Sequence, residues 1–197
     1  MERNDFDSPW KEALEHRFPE FLSLLFPDIH AQIDWSCEQE FLDKELQQVV
    51  QDSELGRRYA DKLVKVWALD GSEAWVLIHV EVQGEVEKAF AQRMYVYHYR
   101  LYDRYQVDVV SLGVLADSNG HFRPSGFQWE RWGCKIQFYF PIVKLLDWEQ
   151  RWNELEASDN LFALVVMAQL KAKNSRNSRE RRDWKFYLIR LMYERDA

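Results

Sequence analysis

The chain has 197 residues, 47% of them apolar and 15% aromatic, with a net charge of −7. That length and composition fit one domain with a sizeable core and exclude a disordered chain, while the acidic balance runs against the basic surface usual in a nucleic-acid binder, so affinity for one must come from local charge. The apolar stretches fall well short of the ~18 residues of a membrane span, and the two distant cysteines, Cys37 and Cys134, give neither a zinc spacing nor a disulfide framework.

Ser8-Pro9 reads as an N-cap followed by proline at the first helical position, opening an amphipathic helix with Trp10 and Leu14 inward. Pro19 interrupts it, and Phe21 to Phe26 continue as an apolar second turn. Residues 41–50 read as either a helix or an irregular strand. Residues 59–67 alternate and carry β-branched valines, which predicts a strand, and residues 74–83 predict a second and clearer one. Between them Asp70-Gly71-Ser72 is a turn signal, so the two form a hairpin. Residues 86–105 lack Gly and Pro and put Phe90, Met94, Tyr97 and Leu101 on one helical face. Residues 107–116 read as a buried strand, Asp117 to Gly126 as a loop, and 135–144 as a strand broken at Pro141. The part from 148 to 195 reads as helical, with an apolar stretch from Leu161 to Leu170 and a last helix carrying Trp184, Leu188 and Leu191. There is no internal repeat and no domain boundary. The expectation is a single domain over 1–197, with a core at 8–145 and a helical C-terminal part.

The second strand carries the chemistry. Side chains alternate along a strand. Val76, Ile78, Val80 and Val82 make one aliphatic face, and Trp75, Leu77, His79, Glu81 and Gln83 make the other. That second face starts apolar and ends polar. With a three-residue turn at 70–72, Leu69 pairs with Glu73 and Asp61 falls opposite Glu81, with Cβ atoms about 4.5–5.5 Å apart. Two carboxylates that close need a shared proton or a cation, and hard oxygen donors favour Mg²⁺ or Mn²⁺. The same register puts Lys65 on the Asp61 face. Against this stands the plainer reading, in which Glu81 ends a solvated strand and Asp61 pairs with Arg57, Arg58 or Lys62.

Asp61, then a hairpin, then Glu81-Val82-Gln83 resembles the PD-(D/E)XK nuclease superfamily. More narrowly, the stretches 57–63 and 79–83, the opening Asp7-Ser8-Pro9-Trp10-Lys11 and the segment Arg93-Met94-Tyr95-Val96-Tyr97 resemble the Rpn group of recombination-promoting nucleases, also described as transposases. The resemblance covers roughly residues 5–172. It implies an α/β fold with a restriction-endonuclease-like αβββαβ core, a central mixed sheet and added C-terminal helices. It also implies Mg²⁺-dependent (or Mn²⁺-dependent) endonucleolytic hydrolysis of DNA phosphodiesters. Asp61 and Glu81 would hold the metal, and Gln83 would take the third catalytic position. The superfamily usually has lysine there; a neutral amide can orient water but cannot share its charge. Lys65 is the candidate for supplying that charge. Superfamily members often add an acid from the first helix, for which Glu12 and Glu15 are the candidates and Asp7 lies just before it.

Arg93, Arg100 and Arg104 form a stripe on the 86–105 helix, as candidate phosphate contacts or as a solvated face paired with nearby acids. A basic run from Lys171 to Lys185 offers the same two readings. DNA is the expected partner, a homodimer is compatible with the sequence, and no membrane contact is expected. The N-terminus opens without an apolar signal core, so the expected location is the cytoplasm. Two other function classes remain: a catalytically weakened nuclease fold kept as a DNA- or protein-binding module, and an acidic domain that binds protein partners.

Overall fold

The structure is a computed structural model and describes residues 7–51, 62–81, 87–124, 126–174 and 187. It is an α/β arrangement around a mixed five-stranded sheet with helices packed on both faces.

The chain opens with α1 (Asp7–His16), α2 (Phe18–Leu25) and α3 (Pro27–His30). The break falls at Arg17, two residues before Pro19, which sits in the first turn of α2 where its missing N–H costs no hydrogen bond. Trp10 and Leu14 are buried as expected. After β1 (Glu40–Phe41), residues 43–51 form α4 (Asp43–Gln51). Leu42, Leu46 and Val49 recur at helical spacing and are all buried, which decides between helix and strand for this segment.

The hairpin is β2 (Lys62–Trp67) with β3 (Glu73–Glu81). Its register differs from the sequence expectation: Trp67 faces Glu73 and Lys62 faces Ile78. Each β2 residue meets a partner two positions nearer the turn. The loop is Leu69-Asp70-Gly71 rather than Asp70-Gly71-Ser72. The Ala68 N–H donates to the Ser72 carbonyl at 2.8 Å, the Gly71 N–H donates to the Ala68 carbonyl at 2.9 Å, and Gly71 has a positive φ of 84°, as in a three-residue hairpin loop built on a type I turn and a left-handed glycine. On the other edge of β2, Ala68 bridges to Ile33 and the Leu69 N–H donates to the Gln32 carbonyl at 3.0 Å. A slip of two keeps every side chain on its expected face, where a slip of one would invert them all, but the register that set Asp61 directly opposite Glu81 is not the observed one, and Asp61 itself lies outside the described residues.

A long helix, α5 (Glu87–Tyr105), leads to β4 (Asp108–Leu115), which pairs parallel with β3. Phe90, Met94, Tyr97 and Leu101 are fully buried on one side of α5, as its spacing predicts. The expected strand over 135–144 divides at Pro141. Its first part is β6 (Cys134–Tyr139), which pairs with β5 (Gly126–Arg131) as a separate two-stranded sheet. Its second part, β7 (Ile142–Lys144), joins β4 in parallel. β5 escaped the sequence reading because Gln128, Trp129, Glu130 and Arg131 are all exposed, so no alternation marks it. A 3₁₀ turn (Leu145–Glu149), α6 (Trp152–Ala157) and α7 (Phe162–Asn174) follow. The expected last helix lies outside the described residues, apart from Tyr187.

The main sheet runs β1-β2-β3-β4-β7. Val64, Val66, Val76, Ile78, Val80, Leu112 and Val114 pack against α1, α2 and α7. Leu63, Trp75 and Leu77 pack against α4 and α5. Full burial of each such aliphatic or aromatic side chain contributes about 1.5–3 kcal/mol. Among the described residues, no helix is long and apolar enough to cross a membrane.

A half-buried histidine gives the fold a pH dependence. His98 on α5 has Nδ1 3.1 Å from the Ser111 hydroxyl of β4, and its ring lies against Phe138. Burial holds its pKa below the ordinary histidine value of about 6.5. The unfolded chain therefore takes up this proton first as pH falls. The stabilising contribution is complete above about pH 6.5 and is lost as pH falls through the lower folded value. Urea midpoints are expected to drop between about pH 7.5 and about pH 5, and His98→Gln should flatten part of that slope; an unchanged slope would count against this role.

Candidate functional site

Of the three residues the sequence puts at the site, Glu81 is the last residue of β3. Asp61, Gln83 and the Glu81 side chain lie outside the described residues. The backbone of Glu81 pairs with Leu115, and Leu115 pairs with Lys144, so the three share one row across the parallel strands. The carboxyl ends of β3, β4 and β7 therefore lie along one edge, where open α/β sheets bind ligands.

Two buried cations flank this region. The Lys62 ammonium, at the start of β2 and 3% exposed, is held between Glu15 of α1 and Asp43 at the start of α4, with Asp43 Oδ2 at 2.9 Å. Glu15 is thus paired with an internal cation, Lys62. Glu12 is exposed on α1. At the other end of the row, the Lys144 ammonium sits 2.6 Å from Asp117 Oδ2 and over the Phe122 ring. Both side chains are essentially inaccessible, at 0% and 2% exposure. Sequence reasoning missed both Asp43 and this pair. The signal for Asp117 and Lys144 was the one that singled out Glu81: a charge closing a strand that is otherwise apolar.

Lys65 does not serve the Glu81 end. It pairs with Trp75, six residues before Glu81 on β3 and so roughly 20 Å away at about 3.3 Å per residue. Its ammonium lies 3.4 Å from Glu73 and 3.9 Å from Glu40. The arginine stripe also divides. Arg93 is buried, with its guanidinium over the Phe90 ring. Arg100 donates to the Val49 carbonyl at 3.2 Å, satisfying a carbonyl in the last turn of α4. Arg104 stays exposed beside Tyr105. The three do not form one phosphate-facing surface. Of the basic C-terminal run, Lys171 lies over the Trp152 ring, and the residues from Arg176 onward are outside the described residues.

His79 is fully buried and stacks on Tyr97 at 5.3 Å. Near the same edge Arg123 grips Asp147 with two hydrogen bonds of 2.9 and 2.6 Å, which hold that carboxyl below the usual carboxylate range. Both side chains are near half exposed, so solvent screens the pair. Among the described residues, no group of three His, Cys, Asp or Glu side chains is arranged to hold a metal ion. Compared with family models, with curated proteins and with solved structures, the chain matches none.

Proposed function

We propose that the chain is a divalent-metal-dependent DNA endonuclease of the PD-(D/E)XK type, with Asp61 and Glu81 as the metal-holding carboxylates and Gln83 beside the attacking water. The observation that carries this reading is the sheet. Antiparallel β1, β2 and β3 are continued through α5 by parallel β4, with α1 in front, in the order the family resemblance implies, and Glu81 ends β3. α4, between β1 and β2, is an addition to that order.

The donor set fits Mg²⁺ or Mn²⁺, since carboxylate and amide oxygens are hard ligands. When bound, such an ion polarises the phosphoryl oxygen and lowers the pKa of the attacking water. The chain's own part is to orient. Asp61 and Glu81 would hold the ion, and the Gln83 amide would align the water without taking its proton. The test is nicking of supercoiled plasmid with Mg²⁺ or Mn²⁺ by the wild type, Asp61→Ala and Glu81→Ala; nicking only by the wild type supports the reading, and equal nicking by all three overturns it.

A second reading is favoured by one observation. Lys65 is engaged at the far end of the hairpin, so it does not replace the lysine that Gln83 displaces. On that reading the fold binds DNA or protein with its chemistry weakened, and the wild type shows no nicking while still binding.

A further inference from the structure

The β5–β6 hairpin carries a feature that folding does not require. Its turn is Trp132-Gly133, closed by the Arg131–Cys134 pair, and both turn residues have positive φ, 52° and 83°. A two-residue turn of this kind favours Asn, Asp or Gly at its first position. A tryptophan there is held in the left-handed region at a conformational cost. The fold gives it no burial in return, since Trp132 is 91% exposed. The Arg131 guanidinium lies over its ring at 4.4 Å from the centroid.

Trp132 is at the tip of a hairpin whose β5 strand carries further aromatic rings. Tyr99 stacks on Tyr95 and Tyr95 on Phe127, with interplanar angles of 20° and 17°. Trp129 follows Phe127 on the same strand face by alternation and is 45% exposed. Apart from Leu69, every large exposed apolar side chain among the described residues lies on α5 or on this hairpin. Charge distinguishes the tip as well. Lys135 and Glu130 neutralise each other at 3.1 Å, which leaves Arg131 to make the tip positive in a chain of net −7.

We propose that these rings are a stacking surface for a single-stranded nucleic-acid segment. Bases stack on Trp132, Trp129 and Tyr99, and Arg131 meets a backbone phosphate. The inference rests on the nuclease reading for its purpose and adds the form of nucleic acid that the chain holds. Only unpaired bases present their faces to such rings, and stacking tolerates any base because each has a π-face. With a single tip cation, the affinity falls gently with salt, by about 0.7 in log K per log unit of salt for each phosphate held.

The test is fluorescence anisotropy with labelled oligothymidine and with a labelled duplex, in EDTA so that no metal-dependent cleavage intervenes. The wild type is expected to bind oligothymidine more tightly than the duplex, and Trp132→Ala and Trp132→Asn to weaken that binding at least about fivefold. Asparagine suits the turn better than tryptophan, so Trp132→Asn should melt no lower than the wild type, which separates binding from folding. The proposal is overturned by no binding of oligothymidine, by equal binding of the variants, or by tighter binding of the duplex. It is also overturned by a wild-type dimer that Trp132→Asn splits while oligothymidine binding stays unchanged, which would make the rings a contact between copies. Glu81→Ala should keep oligothymidine binding. If the plasmid assay fails while anisotropy succeeds, the nuclease reading falls and the stacking surface stands.

Discussion

Asp117→Ala is expected to destabilise the protein by about 3–5 kcal/mol, because it leaves a buried ammonium without its counter-charge. Lys144 and Asp117 meet at 2.6 Å with 0% and 2% of their side chains exposed. Without the carboxylate, the Lys144 ammonium keeps the Phe122 carbonyl at 3.5 Å and the Phe122 ring, neither of which carries a negative charge. The Asn119 N–H also loses its acceptor, Asp117 Oδ1 at 2.7 Å. Removing both charges is a different matter. Asp117→Ala with Lys144→Met should recover most of the loss, since burying two ions is costly in itself. Arg123–Asp147 serves as the contrast: its shortest contact is also 2.6 Å, yet both side chains stand in solvent. Arg123→Ala should therefore cost no more than about 1 kcal/mol. Urea titrations of the four proteins check this, and a loss below about 1 kcal/mol for Asp117→Ala would contradict the account of the pair.

Glu81→Ala and Asp61→Ala are expected to lower plasmid nicking by about 10²–10⁴-fold while leaving the far-ultraviolet spectrum unchanged. A bound divalent ion supplies several kcal/mol of transition-state stabilisation, and each 1.36 kcal/mol is a factor of ten in rate. On the proposed reading, losing either carboxylate forfeits most of that. Gln83→Ala should cost far less, about tenfold, because on that reading the amide only orients water. A Gln83→Ala loss as large as that of Glu81→Ala would mean that the amide does more than align the nucleophile.

Much of this fold was legible in the sequence. The helical face of Phe90, Met94, Tyr97 and Leu101 and the valine-rich face of β3 both follow from periodicity, which local chemistry dictates. Other features were misread or missed. The hairpin register turned on one position: the loop is Leu69-Asp70-Gly71 with Gly71 as its left-handed residue, so the Asp70-Gly71-Ser72 signal places the loop one residue too late. β5 hid because its exposed side chains carry no alternation. At the candidate site, alternation along β3 picked out Glu81, but helical spacing on α5 could not separate a solvated arginine from one drawn under the core. Arg93 is buried while Arg104 is not, and they differ only in what packs above them. Glu15 looked like a free first-helix acid because its cation, Lys62, lies on another element altogether. Asp117 and Lys144 were readable in principle, each a charge closing an apolar strand, and needed only the rule already applied to Glu81.

On the proposed function, Asp61 and Glu81 together hold one divalent ion. Calorimetric titration of Mn²⁺ into the metal-free protein tests it without any substrate. One binding event in the wild type, lost in Asp61→Ala and in Glu81→Ala but retained in Lys65→Ala and Glu12→Ala, is the predicted result; Mn²⁺ binding that survives both Asp61→Ala and Glu81→Ala, or a wild type that binds none, would contradict it.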